Sequence, residues 1–280
     1  MPASALPSTV QAIGVFDSGY GGLTVFKELV NRLPQYDFIY LGDNARAPYG
    51  SRSFETVYEY TLECVKKLFN MNCHLVILAC NTASAKALRT IQQKDLARLD
   101  PSRRVLGVIR PTTEVVGNYT KTNCIGILGT AGTIASMSYP IEIAKFFPHL
   151  KVFQEACPMW VPLVENNEFD NEGANYFIKK NIQHLFSQCA DIDTLVLGCT
   201  HYPLLLERIK QFVPPQVRVL AQGELVAASF SDYLDRHPEM EKKCSRNGGR
   251  YFFTTDSSEN FDQHAGIFYG NPVESAHLEL

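Results

Sequence analysis

The chain has 280 residues, a formal net charge of −3, 45% hydrophobic residues and eight cysteines. That length holds one large domain or two moderate ones. The near-neutral charge offers no basic surface for nucleic acid, no apolar run approaches the ~18 residues of a membrane span, and no two cysteines form a C-x-x-C pair. The opening MPASALPST lacks the charged and apolar regions of a secretory signal and reads as a loose arm. The thiols are therefore expected to be reduced and the protein cytoplasmic.

Residues 12–16 form a short apolar run that leads into DSGYGG at 17–22 and then into LTVFKELVNRL, whose apolar residues follow helical spacing up to Pro34. The unit invites a nucleotide reading, but G-x-G-x-x-G would need glycine where Thr24 stands, and no P-loop lysine follows. Either the glycines admit something small beside Asp17 and Ser18, or this is a strand–helix turn with a solvated aspartate. Spacing alone does not separate the two.

Residues 37–41 read as the next strand, followed by the loop DNARAPYG at 43–50, which ends in Tyr49 and Gly50. A helix over 53–69, a strand over 74–80 and a helix over roughly 83–99 come next, and DPSRR marks a break. A second series starts at Val105 with the strand VLGVI. It continues with a helical stretch from about Pro111, a strand ending in Thr130, a glycine turn and helix over TAGTIASMSYPIEIAKFF, and a strand over 151–155. The stretch CPMWVPLVENNEFD, with its bulky apolar residues and acids, precedes a helix over 172–186 and a strand over 194–199. One more strand and helix follow, and the tail has strand and then helix character.

Strands alternate with helices throughout, which predicts an α/β fold with largely parallel sheets. One local construction occurs twice. In LVILACNTASA and in TLVLGCTHYPLL an apolar strand ends in a cysteine, Cys80 or Cys199, followed by a small polar pair and a helix. Asn81-Thr82 is the first pair and Thr200-His201 the second. Ligands of open α/β sheets collect at the carboxyl ends of strands, and Asp17-Ser18, Tyr49-Gly50 and both cysteine units are all placed there. A thiol at a helix amino terminus is electrostatically favoured as thiolate, and free backbone N–H groups there hold carboxylates.

Taken in order, FDSGYGGLTV, GDNARAPYG, ACNTASA and GCTHYPLL resemble the glutamate racemases of bacterial cell-wall synthesis, over nearly the whole chain. The resemblance implies a cofactor-independent enzyme that makes D-glutamate from L-glutamate for peptidoglycan, with two similar α/β domains and the active site in the cleft between them. It implies a second domain over 105–212 inserted into a first domain formed by 1–104 and 213–280. Cys80 and Cys199 match the two catalytic cysteines, and Asp17 and His201 match groups that assist proton transfer. Ser18, Tyr49, Gly50, Asn81, Thr82 and Thr200, with Asp17 and His201, match substrate contacts. Glu165 falls where family members often carry a glutamate on the histidine side. The resemblance also suggests a homodimer.

The chemistry explains why such residues are needed. The α-hydrogen of an amino acid is a very weak acid, and an ordinary thiol titrates near ~8.5. Pyridoxal phosphate would supply an electron sink, but no lysine or phosphate cradle for it is evident. The two enantiomers present the hydrogen on opposite faces, so two bases are required. Cys64, Cys73, Cys124, Cys157, Cys189 and Cys244 are expected to be small core or surface residues, and Trp160 a packing residue. Cys199-x-His201 is half a metal motif without a partner of zinc spacing, so no metal is expected. Arg110 follows a strand with no role assigned. Two rivals stay open: a racemase of a related amino acid such as aspartate, and a non-catalytic cleft that binds an amino acid.

Overall fold

The computed structural model describes residues 10–280; the arm read over residues 1–9 lies outside them. The described residues form two parallel sheets, each layered with helices. Strands β1 (Ile13–Asp17), β2 (Phe38–Gly42), β3 (Leu75–Leu78), β4 (Arg104–Gly107), β9 (Arg250–Thr254) and β10 (Ser275–His277) make a six-stranded sheet of order β10-β9-β2-β1-β3-β4. Strands β5 (Cys124–Gly129), β6 (Lys151–Ala156), β7 (Thr194–Gly198) and β8 (Arg218–Leu220) make a second sheet of order β6-β5-β7-β8. Every pairing is parallel.

The central strands IGVFD, FIYLG, LVIL, CIGILG and TLVLG are buried along their whole length. This is the continuous apolar pattern of strands covered on both faces. Helix α1 (Leu23–Arg32) buries Leu23, Val25, Phe26 and Leu29 and stops just before Pro34. Helix α2 (Phe54–Asn70) starts where Ser53 accepts the Thr56 N–H. In each sheet the strand order reverses at one strand, β1 in the first and β5 in the second. The crevices beside those strands, at their carboxyl ends, are where such sheets take ligands. The residues that follow β1, β3, β5 and β7 are Ser18, Ala79-Cys80, Thr130 and Cys199.

Several expectations differ from the structure. The strand at Val105 does not open the second series: β4 pairs with β3 at the edge of the first sheet, so DPSRR is a turn into an edge strand. The boundary at 212 falls short of β8, which pairs with β7 in the second sheet. The helix read over 83–99 is a succession of short pieces with a π-turn at Ile91–Asp95. The helix after Thr130 is two, Ala131–Ala135 and Ser138–Phe146, parted by Met137 in the left-handed conformation at φ 55°. The stretch after Cys157 carries a helix, Trp160–Glu165.

Candidate functional site

Asn81 through Lys86 form the short helix α3, and Cys80 is its cap residue. The Cys80 sulfur accepts the Ala83 N–H at 3.4 Å and lies 3.5 Å from the Ser18 hydroxyl. Burial pushes the Cys80 thiol up to about 12, and the neighbouring Asp17 carboxyl adds to the shift. Asp17 closes β1 and is fully buried. Its Oδ1 accepts the Gly19 N–H at 2.9 Å, while its Oδ2 has no partner among the described residues. Burial raises the Asp17 pKa, and the charge of His201 opposes the rise. A proton on Cys80 is therefore favoured.

The surroundings of Cys199 have the opposite sign. Its sulfur lies 3.9 Å from His201 Nδ1, and His201 Nε2 lies 3.0 Å from Glu165 Oε1. Burial alone would make this imidazole neutral, but hydrogen bonding to Cys199 and Glu165 overrides it and raises the His201 pKa to about 10. At neutral pH the ring is an imidazolium, a cation set beside the Cys199 sulfur. Glu165 ends the helix Trp160–Glu165, so that helix delivers the carboxylate to the histidine. The two thiols are close enough for a charge on Cys199 to act on Cys80.

Two glycines of DSGYGG serve this packing. A β-carbon at Gly21 would lie 2.4 Å from His201 Nδ1 and from Thr200 Oγ1; one at Gly22 would lie 2.4 Å from the Asp17 β-carbon. Real β-carbons do not come that close, so only glycine lets β1 and β7 bring their polar ends together. The Thr24 hydroxyl fastens the same junction by donating at 2.9 Å to the Thr200 carbonyl.

The remaining predicted residues complete one cavity of about 140 Å³. At ~10–15 Å³ for each water-sized occupant it has room for roughly ten, the scale of a small amino acid rather than a nucleotide. Ser18, Tyr49, Gly50, Cys80, Asn81 and Thr82 line it from the first sheet's side, and Glu165, Cys199, Thr200 and His201 from the second. Asp17 is the exception: it sits buried behind the wall and is not among the lining residues. The Tyr49 hydroxyl donates to Asp43, a buried carboxylate that also receives Arg46 Nε at 2.7 Å and the Thr255 hydroxyl at 2.8 Å.

Sequence reasoning passed over three contributors. Thr130 lines the cavity, lies 2.9 Å from the Thr82 hydroxyl across the two sheets, and caps the helix Ala131–Ala135 by accepting the Thr133 N–H at 3.2 Å. Its signal was available: GILGT-AGT repeats the strand–small polar–helix construction. Cys157, expected to be a core or surface thiol, is fully buried yet lines the cavity just beyond β6. Tyr139 donates to Asn81 Oδ1 at 2.7 Å. The other cysteines are free, with Cys64, Cys73, Cys124 and Cys244 buried and Cys189 half-buried. Trp160 packs edge-on against Tyr202 with centroids 4.8 Å apart. Arg110 is exposed and pairs with Glu114 at 2.7 Å, outside the cavity. Among the described residues no three histidine, cysteine or acidic side chains are grouped to hold a metal ion.

Known proteins with this construction are numerous. The model of the Asp/Glu/hydantoin racemase family matches residues 13–229, which include both cysteine units. The chain is 40% identical over 263 residues to a glutamate racemase of Geobacter metallireducens, covering 94% of each. Its structure is similar to that of the glutamate racemase isoform RacE1 from Bacillus anthracis, with TM-score 0.87, 35% identity, and coverage of 98% of this chain and 99% of the other. It is also similar to the Francisella tularensis glutamate racemase solved with D-glutamate, with TM-score 0.85, 29% identity, and coverage of 96% and 97%.

Proposed function

The chain belongs to the Asp/Glu/hydantoin racemase family, and on that premise we propose that it interconverts L- and D-glutamate without a cofactor, by proton transfer between two cysteines. The observation that carries this reading is the pair of thiols at matching strand ends in one small cavity, one backed by a buried acid and the other by an imidazolium.

In this reading the resting enzyme holds Cys199 as thiolate beside the His201 cation and Cys80 as thiol beside Asp17. L-Glutamate lies with its α-carbon between the sulfurs. Cys199 removes the α-proton, and Cys80 delivers its own proton to the opposite face. The C–H bond broken on one side is replaced by one formed on the other, and the thiolate has moved from Cys199 to Cys80. D-Glutamate runs the same steps backwards. As the α-proton leaves, negative charge spreads onto the α-carboxylate. Asn81, Thr82 and the free N–H groups at the start of α3 hold that group where the charge develops. Burial of the cavity walls strengthens each of these interactions.

The same reading makes the protein a cytoplasmic homodimer that supplies D-glutamate for peptidoglycan. Among the described residues no helix is long and apolar enough to cross a membrane. We take the second domain to run from the end of β4 through β8, following the sheets.

The direct assay is incubation of purified protein with L-glutamate, without added pyridoxal phosphate, followed by chiral chromatography. D-Glutamate should accumulate until the enantiomers are equal, since mirror images have equal free energy, and L-aspartate should be left unchanged. Turnover of aspartate in place of glutamate would move the protein elsewhere in its family. No turnover of either without pyridoxal phosphate would overturn the cofactor-independent scheme.

A further inference from the structure

Tyr139 stands at the second position of the helix Ser138–Phe146, directly after the left-handed turn at Met137. It is fully buried, and its ring lies against the strand end that carries Cys199: a β-carbon on Gly198 would come within 3.2 Å of the ring. Its hydroxyl reaches across to the other cysteine unit and donates to Asn81 Oδ1 at 2.7 Å. Asn81 is 2% exposed and lines the cavity, and its Nδ2 has no partner among the described residues.

We propose that Tyr139 is a positioning residue that locks the Asn81 amide with its oxygen turned inward and its N–H₂ turned to the substrate's α-carboxylate. The argument is one of satisfaction. Burial raises the phenol's pKa, so it keeps its proton and needs an acceptor. The amide oxygen is that acceptor; the amide nitrogen cannot be. Flipping the amide would strand the buried phenol proton and turn a carbonyl dipole against the carboxylate, which costs twice. Tyr139 thus converts an ambiguous side chain into a fixed donor beside Cys80, from a helix that also packs on the strand end bearing Cys199. This rests on the proposed reading in which Asn81 contacts the α-carboxylate.

A double-mutant cycle tests it, with kcat/KM for glutamate and melting temperature measured for every variant. Tyr139→Phe keeps the ring and should lower kcat/KM about 10- to 100-fold, the range for a hydrogen bond to a charged group. Asn81→Ala should lower it at least as far. In the Asn81→Ala background, Tyr139→Phe should cost less than twofold more, because the residue through which it acts is gone. Equal costs in both backgrounds, or an unchanged kcat/KM for Tyr139→Phe alone, would overturn the proposal. An unchanged kcat/KM for Asn81→Ala would instead remove Asn81 from the substrate site and so count against the underlying reading. If Tyr139→Phe does not fold, Asn81→Asp decides. With the amide nitrogen facing the substrate, aspartate puts a repelling oxygen there, so its kcat/KM should fall below that of Asn81→Ala. The reverse order would contradict the assigned orientation.

Discussion

Replacing Cys80 or Cys199 with alanine should abolish net racemisation of both enantiomers while the fold survives. Each thiol belongs to the buried core and also borders the cavity, so truncation to alanine removes one small atom beside space that already exists. The catalytic loss is far larger. A positioned acid or base contributes about 10²–10⁴-fold, and inversion needs both, so net turnover should fall by at least that factor. The loss must be equal for the two enantiomers in kcat/KM, because their equilibrium constant is one. What separates the variants is proton exchange without inversion. The surviving sulfur can still take the α-proton from the enantiomer that faces it and return a solvent proton to the same side. Cys80→Ala should therefore keep slow exchange with L-glutamate, and Cys199→Ala with D-glutamate. Full racemisation by either variant would remove that cysteine from the mechanism.

The second large effect belongs to His201. Its charge is what distinguishes the surroundings of Cys199 from those of Cys80. His201→Asn removes the cation set beside the Cys199 sulfur, and the loss of a positioned proton-transfer group should lower kcat/KM about 10²–10⁴-fold. In the native protein activity should fall at high pH, since the His201 proton is lost near 10. Glu165→Gln removes one of the interactions that hold the proton, so the alkaline limb should move down by about 1–3 units. Stability follows the same linkage. A histidine whose folded pKa is about 10, against an ordinary 6.5, contributes fully below 6.5 and loses its contribution as pH rises towards 10. Melting temperatures across that window should fall less steeply for Glu165→Gln than for the native chain. An unmoved pH–rate profile in both variants would show that the imidazolium does not govern Cys199.

Much of this was legible in the chain before its structure. Strands buried on both faces declare themselves as unbroken apolar runs, as in FIYLG and TLVLG, and a polar residue ending such a run is a residue at a sheet's carboxyl edge. That logic locates Ser18, Cys80 and Cys199 together. Of the two readings it left open for the glycine loop, the structure shows a strand–helix turn, but with Asp17 buried behind the cavity wall rather than solvated, and with Gly21 and Gly22 making room for His201 and Asp17.

The rest was hidden because it depends on pairing between distant segments. Nothing local distinguishes Arg104–Gly107 as an edge strand of the first sheet from the opening strand of the second; only its hydrogen bonds to β3 decide. The contacts Thr82–Thr130 and Asn81–Tyr139 span 48 and 58 residues and join different sheets. Cys157 resembled five other buried or half-buried thiols in its local sequence, and only the geometry after β6 sets it in the cavity. Met137 breaks a helix that composition would continue, by adopting a left-handed conformation that a methionine seldom takes.

The central claim is that one sulfur lies on each side of the reacting carbon, and following deuterium during the first few per cent of turnover tests it most directly. With L-glutamate in deuterated water, the D-glutamate formed should carry deuterium at its α-carbon while the recovered L-glutamate stays protiated, because the group that removes the proton is not the one that returns it. Deuterium appearing as fast in the recovered L-glutamate as in the product, or D-glutamate forming with its original α-proton, would mean that a single base serves both faces and would contradict the account.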